Sequence, residues 1–114
     1  MSFKVTVKLD DKVTSIDGEE ILTSKTFTSK EQVPLTVKRA IIIILSSEFP
    51  DDKFTGEEKM ERFRLTEKVY KSTSTVELTY DEVKIIKLSA VKAVTSRVYG
   101  VVMNAIDPDN EVKV

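Results

Sequence analysis

Four carboxylates fall close together in this sequence, Asp51, Asp52, Glu57 and Glu58. Oxygen ligands gathered this way could hold a divalent cation or share the acid and base roles of a carboxylate-pair hydrolase. The spacing is specific to neither chemistry. The positive end of a helix already accounts for acidic residues at its start, each worth about 0.3–1 kcal/mol. A second oxygen-rich run, Asp107-Pro108-Asp109-Asn110-Glu111, lacks the central Gly and the ligand register of an EF-hand loop. It reads as a helix-ending turn. Lys59, Arg62, Arg64, Lys68 and Lys71 form the third set, because a row of basic side chains could track phosphates. Glu57, Glu58, Glu61 and Glu67 lie among them, and that interleaving points first to a solvated helix face. Nucleic-acid contact through these five residues is the alternative reading.

What is missing bounds the chemistry further. The 114 residues include no His, no Cys and no Trp. Imidazole bases, thiolate nucleophiles and structural zinc are thereby excluded. Any catalysis would rest on carboxylates, Lys, Tyr or Ser/Thr. We expect a non-enzymatic protein with no cofactor and no metal. Eighteen basic and 19 acidic side chains give a net charge of −1, without the basic excess usual in a nucleic-acid binder. The longest apolar run, Ala40 to Leu45, is far below the roughly 20 residues of a bilayer span. No secretory signal opens the sequence. A cytoplasmic location without membrane contact is expected.

The framework that must carry these side chains is well punctuated. Thr55-Gly56-Glu57-Glu58 and Thr79-Tyr80-Asp81-Glu82 are both capping boxes, in which hydroxyl and carboxylate satisfy each other's backbone N–H groups. The first opens a helix predicted from Gly56 to Ser72, with Met60, Phe63, Val69 and Tyr70 inward. Glu58/Arg62 and Glu67/Lys71 support its outer face at i,i+4 spacing. The second opens a helix from Tyr80 to Val94, with Val83, Ile86, Ala90 and Val94 inward. A last helix spans Ser96 to Ile106, with Val98, Val102 and Ile106 on one side. Gly100 within it costs up to about 1 kcal/mol relative to Ala, which points equally to close helix packing there or to a tolerated weakness.

Upstream, Phe3, Val5, Val7 and Leu9 alternate with polar residues, the mark of a half-buried strand. Asp10 to Lys12 and Ile16 to Glu19 supply turn chemistry, with Gly18 able to take positive φ. Ile21 to Thr28 reads as a second strand. Two strands alone are marginal in water, so this ribbon must pack on helices or on another chain. Val76-Glu77-Leu78 is briefly extended. Val33-Pro34 breaks the extended pattern, and Thr36 caps a helix from Val37 to Ser47. Val37, Ala40, Ile41, Ile44 and Leu45 form one apolar stripe, with Ile42 and Ile43 off it. A buried strand over Ile41 to Leu45 is the rival reading, because β-branched residues favour it. The expected fold is α+β and helix-dominant, one domain over residues 1–114. An N-terminal β-hairpin (1–30) packs on a bundle of three to four helices (34–106), and a frayed tail (107–114) follows.

Ile42, Ile43, Val101 and Met103 exceed what one stripe on each helix needs. Burying each is worth about 1.5–3 kcal/mol, so these four are the candidate interface with a protein partner, most simply a symmetric homodimer. The β-ribbon is the other possible cover, and would absorb Ile42 and Ile43 within one chain. Any of Tyr70, Tyr80 and Tyr99 left exposed is a further contact candidate.

Pro34-Leu35-Thr36, Gly56-Glu57-Glu58-Lys59, Val76-Glu77-Leu78-Thr79 with Glu82, and Lys92-Ala93 with Gly100 form a pattern over most of the chain. In it the sequence resembles small, mostly uncharacterised accessory proteins of tailed bacteriophages and prophages. Thr95-Ser96 departs from the pattern, where a Pro-containing segment is expected. The resemblance implies action inside an infected bacterium and nothing about mechanism; as such a product, a protein-binding chain would modulate a host protein or serve as an assembly adaptor. It supplies no site residues.

Overall fold

The computed structural model describes residues 4–24, 30–50 and 52–106. Strand β1 (Lys4–Lys8) buries Val5 and Val7 and exposes the residues between them, as its alternation requires. Its partner is β4 (Thr75–Thr79), antiparallel, with Val7 opposite Val76 and Val5 opposite Leu78. The two strands share one period-two pattern, so pairing them places four aliphatic side chains on a single buried face. The described part of the segment expected to pair with β1 pairs elsewhere. Within it β2 (Leu22–Ser24) forms a short hairpin with β3 (Gln32–Pro34). Pro34 ends that strand, where its missing N–H costs no ladder bond. Between β1 and β2, Gly18 takes φ 88°, a left-handed conformation for which glycine is suited.

Helix α1 (Val37–Ser46) begins at Thr36, whose side chain accepts the Arg39 N–H at 3.2 Å. It is a helix, not the rival strand, and it packs against all three other helices. That central position explains its nearly all-round apolar surface. Helix α2 (Gly56–Lys71) carries the first capping box and α3 (Tyr80–Ala93) the second, both complete. Helix α4 (Ser96–Ile106) follows after Val94 and Thr95, and its Tyr99 N–H bonds the Thr95 carbonyl at 2.8 Å. The architecture is α+β and helix-dominant. One hydrophobic cluster takes residues from β1, β4 and all four helices.

Three expectations about facing are corrected. Helix α2 buries Leu65 and Val69, whereas Met60, Phe63 and Tyr70 stand exposed. Two stripes compete on this helix, and the one turned inward also carries Arg62 and Thr66, whose polarity hid it. Glu58 does not pair with Arg62; its carboxylate accepts the Thr55 N–H at 2.9 Å. At Gly100 an added Cβ would meet nothing within 4 Å, so close packing is not the reason for glycine there. Among the described residues no helix is long and apolar enough to cross a membrane. The expected tail and the residues 25–29 of the expected second strand lie outside the described residues.

Candidate functional site

Among the described residues the acids near α2 do not gather into one cluster. Asp52 accepts the Phe49 N–H at 2.7 Å and the Lys92 ammonium at 3.2 Å. The Phe49 N–H holds its carboxyl below the usual carboxylate range, and Lys92 adds to this. Glu58 is committed to its capping box. Asp51 and the run from Asp107 lie outside the described residues. Among the described residues no group of three or more candidate ligands could hold a metal ion.

The basic residues of α2 are mostly occupied as well. Lys59 pairs with Glu48 at 3.5 Å, Lys68 with Glu82 at 2.7 Å and Lys71 with Glu67 at 3.8 Å. Partial burial pushes Glu82 up, but the Lys68 ammonium and the Thr79 N–H outweigh it and leave the group below its ordinary value. Arg62 is turned towards α1. Its Nη2 donates to the carbonyls of Leu45 at 2.9 Å and Ser47 at 3.0 Å. Its Nη1 donates to Ser89 Oγ, and its guanidinium lies 4.5 Å from the Phe54 ring centroid. The last carbonyls of a helix have no partners within it, and α1 has no basic residue in its last turn. Arg62 supplies that cation from a neighbouring helix. Only Arg64 of the five has no ion pair or hydrogen bond of its side chain among the described residues.

The four apolar candidates also separate. Ile42 and Met103 are 5% and 3% exposed and belong to the core of the single chain. As interface residues they are corrected, because the single chain already buries both, Ile42 on α1 and Met103 beside Val102 on α4. Val101 is half-buried against the same core. Ile43 is half-buried too, but it lines a groove of about 480 Å³ with Leu35, Ala40, Val94 and Val98. Lys92 stands at its rim and also borders a smaller hollow of about 130 Å³ containing Phe49, Phe54 and Leu88. On α3, Leu88 and Val91 are 69% and 65% exposed, one turn apart. Sequence reasoning missed both. They lie off the Val83, Ile86 and Ala90 stripe, and that misfit is the signal that could have found them. Tyr70 and Tyr80 are exposed, while Tyr99 packs on the core.

No protein family, curated protein or solved structure matches this chain.

Proposed function

We infer that this chain is a non-enzymatic protein-binding module whose contact surface is the outer side of α3 with the groove beside it. The observation that carries this reading is the exposure of Leu88 and Val91 on α3, where Leu88 borders the hollow of Phe49 and Phe54, and Lys92 links that hollow to the groove lined by Ile43, Val94 and Val98. Aliphatic side chains left in water beside an apolar concavity favour a partner that buries both. An amphipathic helix laid into the groove would do so. The resemblance to phage accessory proteins supports a setting in the bacterial cytoplasm, with a host protein or an assembly component as partner. The full pairing of Lys59, Lys68 and Lys71 with carboxylates gives the nucleic-acid alternative little support.

Affinity capture from bacterial lysate tests the reading, comparing the natural chain with Leu88→Glu combined with Val91→Glu. A specific protein retained by the first and lost by the second, at unchanged circular dichroism, is the expected result. A partner held equally by both would move the contact elsewhere. Light scattering separates a second copy from a foreign partner, since a lone chain weighs 12.9 kDa.

A further inference from the structure

Among the described residues the sheet of β1 and β4 has two strands, so each has one edge with no described strand beside it. Ladder alternation decides which backbone groups face outward. The Leu9 N–H donates to the Ser74 carbonyl at 2.8 Å, one step beyond the Lys8 and Thr75 pair. Val5 and Val7 therefore turn their N–H and C=O groups towards β4, and Lys4, Thr6 and Lys8 turn theirs away. Among the described residues nothing bonds the backbone of Thr6 or Lys8 on that side. The side chains of Lys4, Thr6 and Lys8 are exposed, and neither lysine has an ion-pair partner among the described residues.

A second copy fits this edge poorly. Antiparallel self-pairing about Thr6 would set Lys4 opposite Lys8 of the other chain at both ends. Like charges directly opposite are destabilising. Self-pairing of β4 about Glu77 would oppose two carboxylates in the same way. We propose that the outer edge of β1 accepts an extended acidic segment of another protein as a third strand, with carboxylates opposite Lys4 and Lys8. Main-chain bonds to Thr6 and Lys8 supply the attachment, and the lysines select the charge. This edge shares no residue with the groove beside α3, so the two surfaces can be tested apart.

The probe is a synthetic peptide, Thr-Glu-Val-Thr-Val-Glu-Thr, with its carboxylates spaced to match the two lysines. Its counterpart carries Lys in place of Glu. By amide-resolved NMR the acidic peptide is expected to shift the Thr6 and Lys8 amides and protect them from exchange, leaving Ile43 and Val98 unmoved. It should bind about tenfold more tightly than the basic peptide. Lys4→Glu with Lys8→Glu should reverse that preference. Thr6→Pro removes one outward N–H without touching the β1–β4 ladder, and should abolish binding although both lysines remain. The comparison of peptides on the natural chain carries the test should either variant fail to fold. Equal binding of the two peptides would overturn the proposal, as would unprotected Thr6 and Lys8 amides at millimolar peptide or shifts centred on the groove. Concentration-dependent shifts of these amides without peptide would overturn it too, because a second copy would then hold the edge.

Discussion

The Nη2 group of Arg62, on α2, donates to the Leu45 carbonyl, in the last turn of α1, at 2.9 Å. One charged side chain thus closes the end of the central helix and ties it to a neighbour. Hydrogen bonds to a charged group contribute about 1.5–3 kcal/mol, and the carbonyls left behind would be partly shielded from water. Arg62→Ala is expected to destabilise the fold by about 2–3 kcal/mol. Arg62→Lys should recover only part of this, because an ammonium cannot fork between several acceptors and lie over Phe54 at once. Urea titration with an unchanged slope and a lowered midpoint would be the signature. A loss no larger than that of an exposed lysine would show the contact to be idle.

Gly100 offers the opposite case. It lies inside α4 with open space where a Cβ would go. Gly100→Ala should stabilise the protein by about 0.5–1 kcal/mol, through helix propensity and a less flexible unfolded chain. Thermal unfolding measures this directly, and a lowered midpoint would mean that the space is used by something else.

The second capping box makes stability sensitive to acid. Glu82 accepts both the Thr79 N–H at 2.8 Å and the Lys68 ammonium at 2.7 Å, and its folded pKa lies below the ordinary 4.5. A depressed carboxyl contributes stability that is complete above the unfolded value and fades as pH falls through the folded one. Glu82→Gln should therefore be less stable than the natural chain at neutral pH, with the gap closing below pH 4.5. Denaturation at a series of pH values gives the answer. A gap that stays constant down to strong acid would rule the carboxylate out as its source.

Ile42 and Ile43 are adjacent yet belong to different environments. Ile42 is sealed in the core, and Ile43 borders the groove. Ile42→Ala should cost about 2–5 kcal/mol through the lost contacts and the cavity left behind. Ile43→Ser should cost markedly less and act mainly on partner binding. If the two variants unfold alike, the groove is closed in solution.

The helices were largely readable because their signals are local. Thr36, Thr55 and Thr79 mark helix starts by chemistry confined to four residues, and each acts as an N-cap in the structure. The pairing of β1 was not readable in the same way. Val5 and Val7 announce a strand with one buried face, but any strand of the same period could match them. The choice of Val76 and Leu78 over the segment after Gly18 depends on where the helices bring β4. Facing on α2 was obscured for a related reason. Arg62 belongs on the buried stripe only because the end of α1 happens to lie within its reach. Among the proposed contacts, Ile43 was anticipated from an excess of apolar residues. Leu88 and Val91 were not, since a single exposed aliphatic on a helix is ordinary.

The pairing of Val7 with Val76 also sets an order of events during synthesis. The first strand leaves the ribosome before its partner, which must wait for two helices to be translated first. At roughly 5–20 residues per second, the valines of β1 spend several seconds without the strand that covers them. Such a contact between distant parts of a chain forms late and slows folding. Lys4, Thr6 and Lys8 alternate with those valines, and charged residues so placed discourage a waiting strand from joining others of its kind. The same two lysines guard the newborn chain before they face any partner.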